Sequence, residues 1–495
     1  MLLVWPVAVP MGAAVLTLLA ARSVRAQRVL SLAGALALLA AGTVLLVTVL
    51  REGPQAAQMG GWAAPYGITM VADLFSAALV FATGLMAVLT IFHGLVRPGD
   101  TGEHFGHHPL TQSLLLGICG AFLTGDLFNL YVWFEVMLIA SFGLLVVGGR
   151  REQFDAAVKY AGLNLVATLT FLTGVGLLYG AAGTLNMADL HLTLAGRSGE
   201  TAVLGAAMLL LFAFGAKAAL FPVFFWLPAS YHTLSITTSA LFAALMTKVG
   251  VYALIRVFTL VYDAGEPPIA SLLLWGGVLS MVVGVLGAAA QMEIRRILAF
   301  HSVSQIGYMV LGLALHTGLG LAGAIYYLFH HIVVKSNLFL IAGAVRDRTG
   351  SEDLRTIGGL WKRSPGLSIL FLVSALSLAG LPPFTGFWAK LLVLRASLDA
   401  ERYVAAFAVL AVGLLTLFSM TKIWNEAFWK PHPGDARRRF SSRLALIPVA
   451  LLAAITLAAG VVAEPFIDAA TEAAAQIVDP ARYLQAVGVT RELSP

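Results

Sequence analysis

Apolar runs of about twenty residues recur from Leu2 to Val462 with short polar gaps between them, and this alternation constrains the fold more than any other feature. A bilayer core about 30 Å thick takes roughly 20 apolar residues per spanning helix. Soluble domains carry about a quarter charged residues, whereas here 11% are charged and 59% hydrophobic, so the membrane is the solvent. No separate soluble domain fits between the runs. The run at 2–20 lacks a basic segment before it and is followed by many others, so it reads as the first span and not as a cleaved leader. The single cysteine, Cys119, lies inside an apolar run, which excludes an internal disulfide and leaves no ligand set for an iron–sulfur cluster.

Setting apolar runs against polar breaks gives fourteen spans, near 2–20, 29–50, 69–96, 109–125, 127–149, 154–180, 201–228, 233–261, 270–291, 296–315, 321–345, 367–397, 402–429 and 444–465. A wrong count would scramble the alternation of basic loops. Instead, one side collects Arg22, Arg25, Arg28, Arg97, Arg150, Arg151, Lys159, Arg295, Arg296, Arg346, Arg348, Arg355, Lys362, Arg363, Lys430, Arg437, Arg438, Arg439 and Arg443. The other side has only Arg51, Arg197, Arg395, Arg402, Arg482 and Arg491. The net charge of +6 is therefore an orientation signal, not a nucleic-acid surface, and both termini are expected outside the cytoplasm of a bacterial inner membrane.

Six basic residues remain inside spans: Lys217, Lys248, Arg256, Lys335, Lys390 and Lys422. Lys248 in LMTKVGVY and Lys422 in SMTKIWNE are 174 positions apart, and Lys217 and Lys390 are 173 apart, each beside a proline-containing break. This spacing reads as a duplication of five spans. Two odd-numbered copies in succession lie in opposite senses, giving an inverted repeat. The division is then 1–108 for the first three spans, 109–261 and 270–430 for the two copies, and 431–495 for the last span and tail. In AFGAKAALFPVFFWLP and LSLAGLPPFTGFWAK, proline removes a backbone donor, and such a break persists in a bilayer only where protein or a water-filled cavity satisfies the freed groups.

An Asp, Lys or Arg at a helix centre costs about 2.5–3.5 kcal/mol on insertion scales, so a chain that keeps several has a use for them. Glu135 lies mid-span among apolar neighbours and needs a cationic partner, for which Lys217 and Lys248 are available. Burial disfavours each charged form and pairing restores it, so a lysine that changes partners can take up and release a proton. His331 and Lys335 share a helix face in YYLFHHIVVKSNLFL, with His330 adjacent, and Lys390 ends the line. The competing reading is a set of interhelix salt bridges, but buried pairs stabilise weakly and mark function within membranes. Arg256 and Lys422 lie nearer span ends and are expected to snorkel to the interface, with Lys422 and His330 kept as secondary relay candidates. Asp126 reads as a helix cap. His104, His107 and His108 with Glu103 form a solvated loop whose spacing matches no metal site, and no metal or cofactor is expected.

The segments GGWAAPYGITMVADLFSA, LFNLYVWFEVMLIASFGLLVVGG and AGLPPFTGFWAK resemble the proton-translocating subunits shared by respiratory complex I and the multisubunit Mrp-type cation/proton antiporters, the D-type Mrp subunits above all. The resemblance spans nearly the whole chain. It implies fourteen core helices, two inverted five-helix repeats, a central hydrophilic axis and partner membrane subunits. It also implies that Glu135, Lys217, Lys248, His331 with Lys335, and Lys390 match the family's buried glutamate, lysines and polar pair. The lysine at position 390 departs from the one complex I homologue that has glutamate there. The function so implied is proton movement within a Na+/H+ antiporter, with a proton-pumping subunit of an NADH:quinone oxidoreductase or related hydrogenase as the alternative. A purely structural subunit is the third possibility.

Overall fold

A computed structural model describes residues 2–64, 66–97, 106–432 and 443–489. Helices α1 (Trp5–Leu19) and α2 (Val24–Glu52) lead to a small antiparallel hairpin, β1 (Gln55–Gln58) with β2 (Thr69–Ala72), and then to α3 (Leu74–Leu95). There follow α4 (His107–Leu123), α5 (Leu127–Val146), α6 (Arg151–Ala182), the short α7 (Met187–Thr193), α8 (Thr201–Ala218), the short α9 (Trp226–Ser230) and α10 (Ile236–Leu260). The same kind of succession then returns: α11 (Pro267–Ala290), α12 (Ile294–Ala314), α13 (Gly318–Thr349), the short α14 (Leu360–Arg363), α15 (Pro365–Ala379), α16 (Thr385–Asp399) and α17 (Tyr403–Ile423). After α18 (Leu446–Val461) come α19 (Glu464–Val478) and α20 (Ala481–Val487).

The chain is a polytopic helical membrane protein. Twelve helices among the described residues are long and apolar enough to cross a bilayer. Helix α4 is shorter, at 17 residues, and the run expected at 367–397 is two helices of 15 residues each, α15 and α16. The run at 201–228 also divides, into α8 and α9. In the first break Ala219 takes φ +61 before Pro222, and in the second Gly380 takes φ +92 before Pro382 and Pro383. Lys217 and Lys390 flank these breaks on opposite sides: Lys217 ends the half before the first, whereas Lys390 lies in the half after the second. The 173-residue spacing therefore does not superpose equivalent positions.

Two further runs differ from expectation. Residues 69–72 are strand, because Asp73 starts α3: its carboxylate accepts from Ser76 N (2.9 Å) while its own N–H donates to Ser76 Oγ (3.0 Å), a reciprocal cap. The run at 402–429 ends in a π-helical turn, Trp424–Trp429. Arg437, Arg438, Arg439 and Arg491 lie outside the described residues.

The centre of the bundle is α10, in which every residue except Thr259 is buried. It packs on α3, α8, α12 and α13, and α13 packs on α12, α15, α16, α18 and α19. Gly250 permits a close approach of α8 to α10, since a Cβ there would lie 2.4 Å from the Ala218 nitrogen at the end of α8. Lys248 on α10 and His331 and Lys335 on α13 therefore face protein and not lipid, which is the condition for keeping them in a membrane.

Candidate functional site

Four elements bring the sequence candidates together: α8 with its break, α10, α13, and α16 after the second break. Lys217, Lys248, His330, His331, Lys335 and Lys390 are all buried. Glu135 is half-buried, and its Oε1 accepts a hydrogen bond from Thr168 Oγ1 of α6 at 2.6 Å. The expected Glu135–Lys217 ion pair is not made. Lys217 Nζ has no hydrogen-bond partner among the described residues and stands 5.6 Å from the Phe134 ring centroid. Phe134, Phe171 and Phe214 form a cluster of edge-to-face rings, with centroids 4.9–6.0 Å apart, beside this lysine.

The other lysines are held by backbone carbonyls. Lys248 donates to Ala243 O, one turn earlier on its own helix. Lys335 donates to Leu298 O of α12 at 2.6 Å. Lys390 donates to Leu378 O (3.0 Å) and Ala379 O (2.8 Å), the last carbonyls of α15, where the helix dipole is negative and the break leaves acceptors free. Its Nζ also lies 5.3 Å from the Tyr308 ring centroid. A carbonyl accepts from a neutral amine as well as from an ammonium, so these contacts survive loss of a proton. A carboxylate partner would instead fix the charged state.

His331 has no hydrogen-bond partner at either ring nitrogen among the described residues. Its neighbour His330 bonds through Nδ1 to Thr385 Oγ1, at the start of α16, at 2.8 Å. The sequence reading missed His301. It is fully buried on α12, and its Nε2 is 3.0 Å from Ser419 Oγ. His301, Gln305 and Tyr308 in HSVSQIGY stand at i, i+4 and i+7, a polar stripe within an apolar run that would have revealed them. Tyr327 OH of α13 completes the stripe by donating to Gln305 Oε1.

The breaks are satisfied locally. Phe221 N–H, freed where α8 ends, donates to Ser280 Oγ of α11 (2.8 Å), and Trp226 Nε1 donates to Ala216 O (2.9 Å). Protein groups thus meet the freed groups of the first break, as an irregular segment at membrane depth requires, while Pro222 and Phe225 there and Leu381, Pro382 and Pro383 in the second break are exposed.

Arg256 does not snorkel. It is buried and ion-paired with Asp73, and its guanidinium lies 5.5 Å from the Tyr252 ring centroid and 5.3 Å from that of Tyr483 on α20. The interface is closed to it because α3 and the C-terminal helices cover that end of α10. Lys422 is half-buried and donates to Ala289 O (2.8 Å) and Gln291 O (2.6 Å) at the end of α11. Asp126 caps α5, accepting from Asn129 N at 2.8 Å. His107 and His108 are not solvated: both are buried in the first turn of α4. His104 and Glu103 lie outside the described residues. Among those residues no three His, Cys, Asp or Glu side chains are placed to hold a metal ion.

The chain is similar to known proteins over nearly its whole length. A family model described as NADH:quinone oxidoreductase/Mrp antiporter, transmembrane, matches residues 124–416. The D-type Na(+)/H(+) antiporter protein of Alkalihalophilus pseudofirmus is 42% identical over 490 residues, covering 98% of this chain and 99% of that one. A chain of the Mrp complex from Dietzia sp. superposes with a TM-score of 0.91 at 35% identity, over 99% of each chain. A chain of respiratory complex I from Thermus thermophilus gives 0.82 at 27% identity, over 97% of this chain and 99% of that one.

Proposed function

Because the chain belongs to the NADH:quinone oxidoreductase/Mrp antiporter transmembrane family, we propose that it is the D-type, proton-translocating subunit of a multisubunit Na+/H+ antiporter. Other membrane subunits are its partners, protons and monovalent cations its substrates, and a bacterial inner membrane its site, with both termini outside the cytoplasm. It is a transporter subunit and not itself an enzyme. The basic-loop partition supports this orientation, and the twice-repeated order of helices supports two inverted copies, α4–α10 and α11–α17.

The observation that carries the relay is the row of buried lysines without carboxylate partners, three of them, Lys248, Lys335 and Lys390, held by carbonyls. A proton enters the first half at Lys217, whose affinity Glu135 sets from α5. Lys248 on α10 passes it to His331 and Lys335 on α13. His301 spans the step to Lys390, and His330 with Lys422 flank the line. Unpartnered buried atoms, among them Lys217 Nζ, both nitrogens of His331 and His301 Nδ1, mark where ordered water completes a hydrogen-bonded path.

In vesicles containing the assembled complex, Glu135→Gln, Lys217→Ala and Lys390→Ala should each abolish sodium-dependent proton movement while leaving subunit composition unchanged. Retained transport in all three would refute the relay. The alternative, a proton-pumping subunit of a complex I-like oxidoreductase, rests on the Thermus thermophilus likeness. Flavin and iron–sulfur absorbance in the purified complex would favour it, since the antiporter needs neither.

A further inference from the structure

The last turns of α2, the first half of α3, the first half of α13, the end of α18 and the start of α19 enclose a crevice of about 380 Å³. Its walls are hydrocarbon, with Leu46, Phe81, Ile325, Phe329, Phe466 and Ala470 prominent. The polar groups that reach it are committed elsewhere. Thr456 Oγ1 donates to Leu452 O (2.9 Å), Tyr326 OH to Ala459 O (3.4 Å), and Thr385 Oγ1 is taken up by His330 Nδ1 (2.8 Å) and Ser377 Oγ (3.2 Å). One polar atom on its lining is left without a partner among the described residues: Nε2 of His330, a side chain that is 4% exposed.

Water needs two to four polar partners to stay in a cavity, and this one offers a single nitrogen, so the crevice is dry. It borders the hydrocarbon, with Leu50 (60% exposed) and Phe466 (52%) on its lining. Its occupant is therefore apolar.

We propose that this crevice is a lipid site, which takes one acyl chain of a phospholipid from the leaflet at which α2 and α18 end, with the chain's terminal carbons over His330. The site rests on the membrane setting of the helices and not on the relay. If the relay also holds, the chain seals His330 from water on that side.

The assembled complex would be reconstituted in phosphatidylethanolamine and phosphatidylglycerol vesicles containing a phosphatidylethanolamine with a diazirine near the end of one acyl chain, irradiated, and mapped by peptide mass spectrometry. Label should concentrate on residues 325–333 and 466–473, well above that on the open face of α17 around Phe407, Leu414 and Phe418. Ala82→Phe and Ala470→Phe should each lower the crevice label about tenfold, because a filled cavity excludes the chain. Ala78→Leu, a smaller insertion, serves if the phenylalanine variants fail to assemble. Equal labelling of crevice and open face, label unaffected by filling, or cross-links from the crevice to another subunit in place of lipid would each overturn the proposal. The readout is binding, so it stands or falls separately from transport.

Discussion

Asp73→Asn is the sharpest test of how the C-terminal end of α10 is held. The two side chains of the Asp73–Arg256 pair are 3% and 4% exposed, so the pair is desolvated. Removing one partner from such a pair costs about 3–5 kcal/mol, because the other charge stays buried without compensation. Asparagine keeps an oxygen for Ser76 N, so the helix-cap contribution of about 0.5–2 kcal/mol is retained and the change isolates the charge. Arg256 would then rely on Tyr252 OH at 3.4 Å and on the Tyr252 and Tyr483 rings. A loss of about 3 kcal/mol is on the order of a hundredfold in the folding equilibrium. Equilibrium unfolding of the purified protein in mixed detergent and SDS micelles, followed by tryptophan fluorescence, measures it. Asp73→Asn combined with Arg256→Met should recover most of the loss, because no uncompensated charge then stays buried. A single-variant cost below about 1 kcal/mol, the value of an exposed pair, together with strictly additive effects, would refute the reasoning.

Gly380→Ala places a Cβ 2.6 Å from Lys390 Cδ at a φ of +92, so Lys390 should leave the Leu378 and Ala379 carbonyls, and transport should fall with assembly intact. Unchanged transport would show that the relay does not need this placement. His232, in the connection before α10, has its pKa lowered to about 4, first by burial and then by the Arg296 charge. The folded state therefore disfavours the protonated ring. The resulting stability is present above the unfolded value of about 6.5 and is lost as pH falls toward 4, by at most about 3 kcal/mol before solvent screening. His232→Asn should flatten the pH dependence of stability between those limits, and an unaltered slope would exclude this histidine as its source.

Much of the candidate site was legible because its residues violate the medium around them. A lysine inside an apolar run stands out in the sequence, as do prolines that interrupt a span, and Lys217, Lys248, Lys335 and Lys390 were found this way. His301 was harder, since one histidine with a glutamine and a tyrosine reads as ordinary helix filler until α13 is placed against it. The hairpin at 55–72 was invisible because its second strand merges with the apolar run of α3.

Partners were least legible. Arg256 meets a residue 183 positions away, Lys390 meets the carbonyls of α15, and Glu135 meets Thr168 and not the lysine that charge alone would choose. The sequence by itself determined that the chain spans the membrane many times, that two spans are broken, and which side chains are too polar for hydrocarbon, because each follows from local transfer energies along the chain. Only the tertiary structure decided which acceptor each buried cation finds, because a freed carbonyl or a cap carboxylate is defined by where helices end and cross.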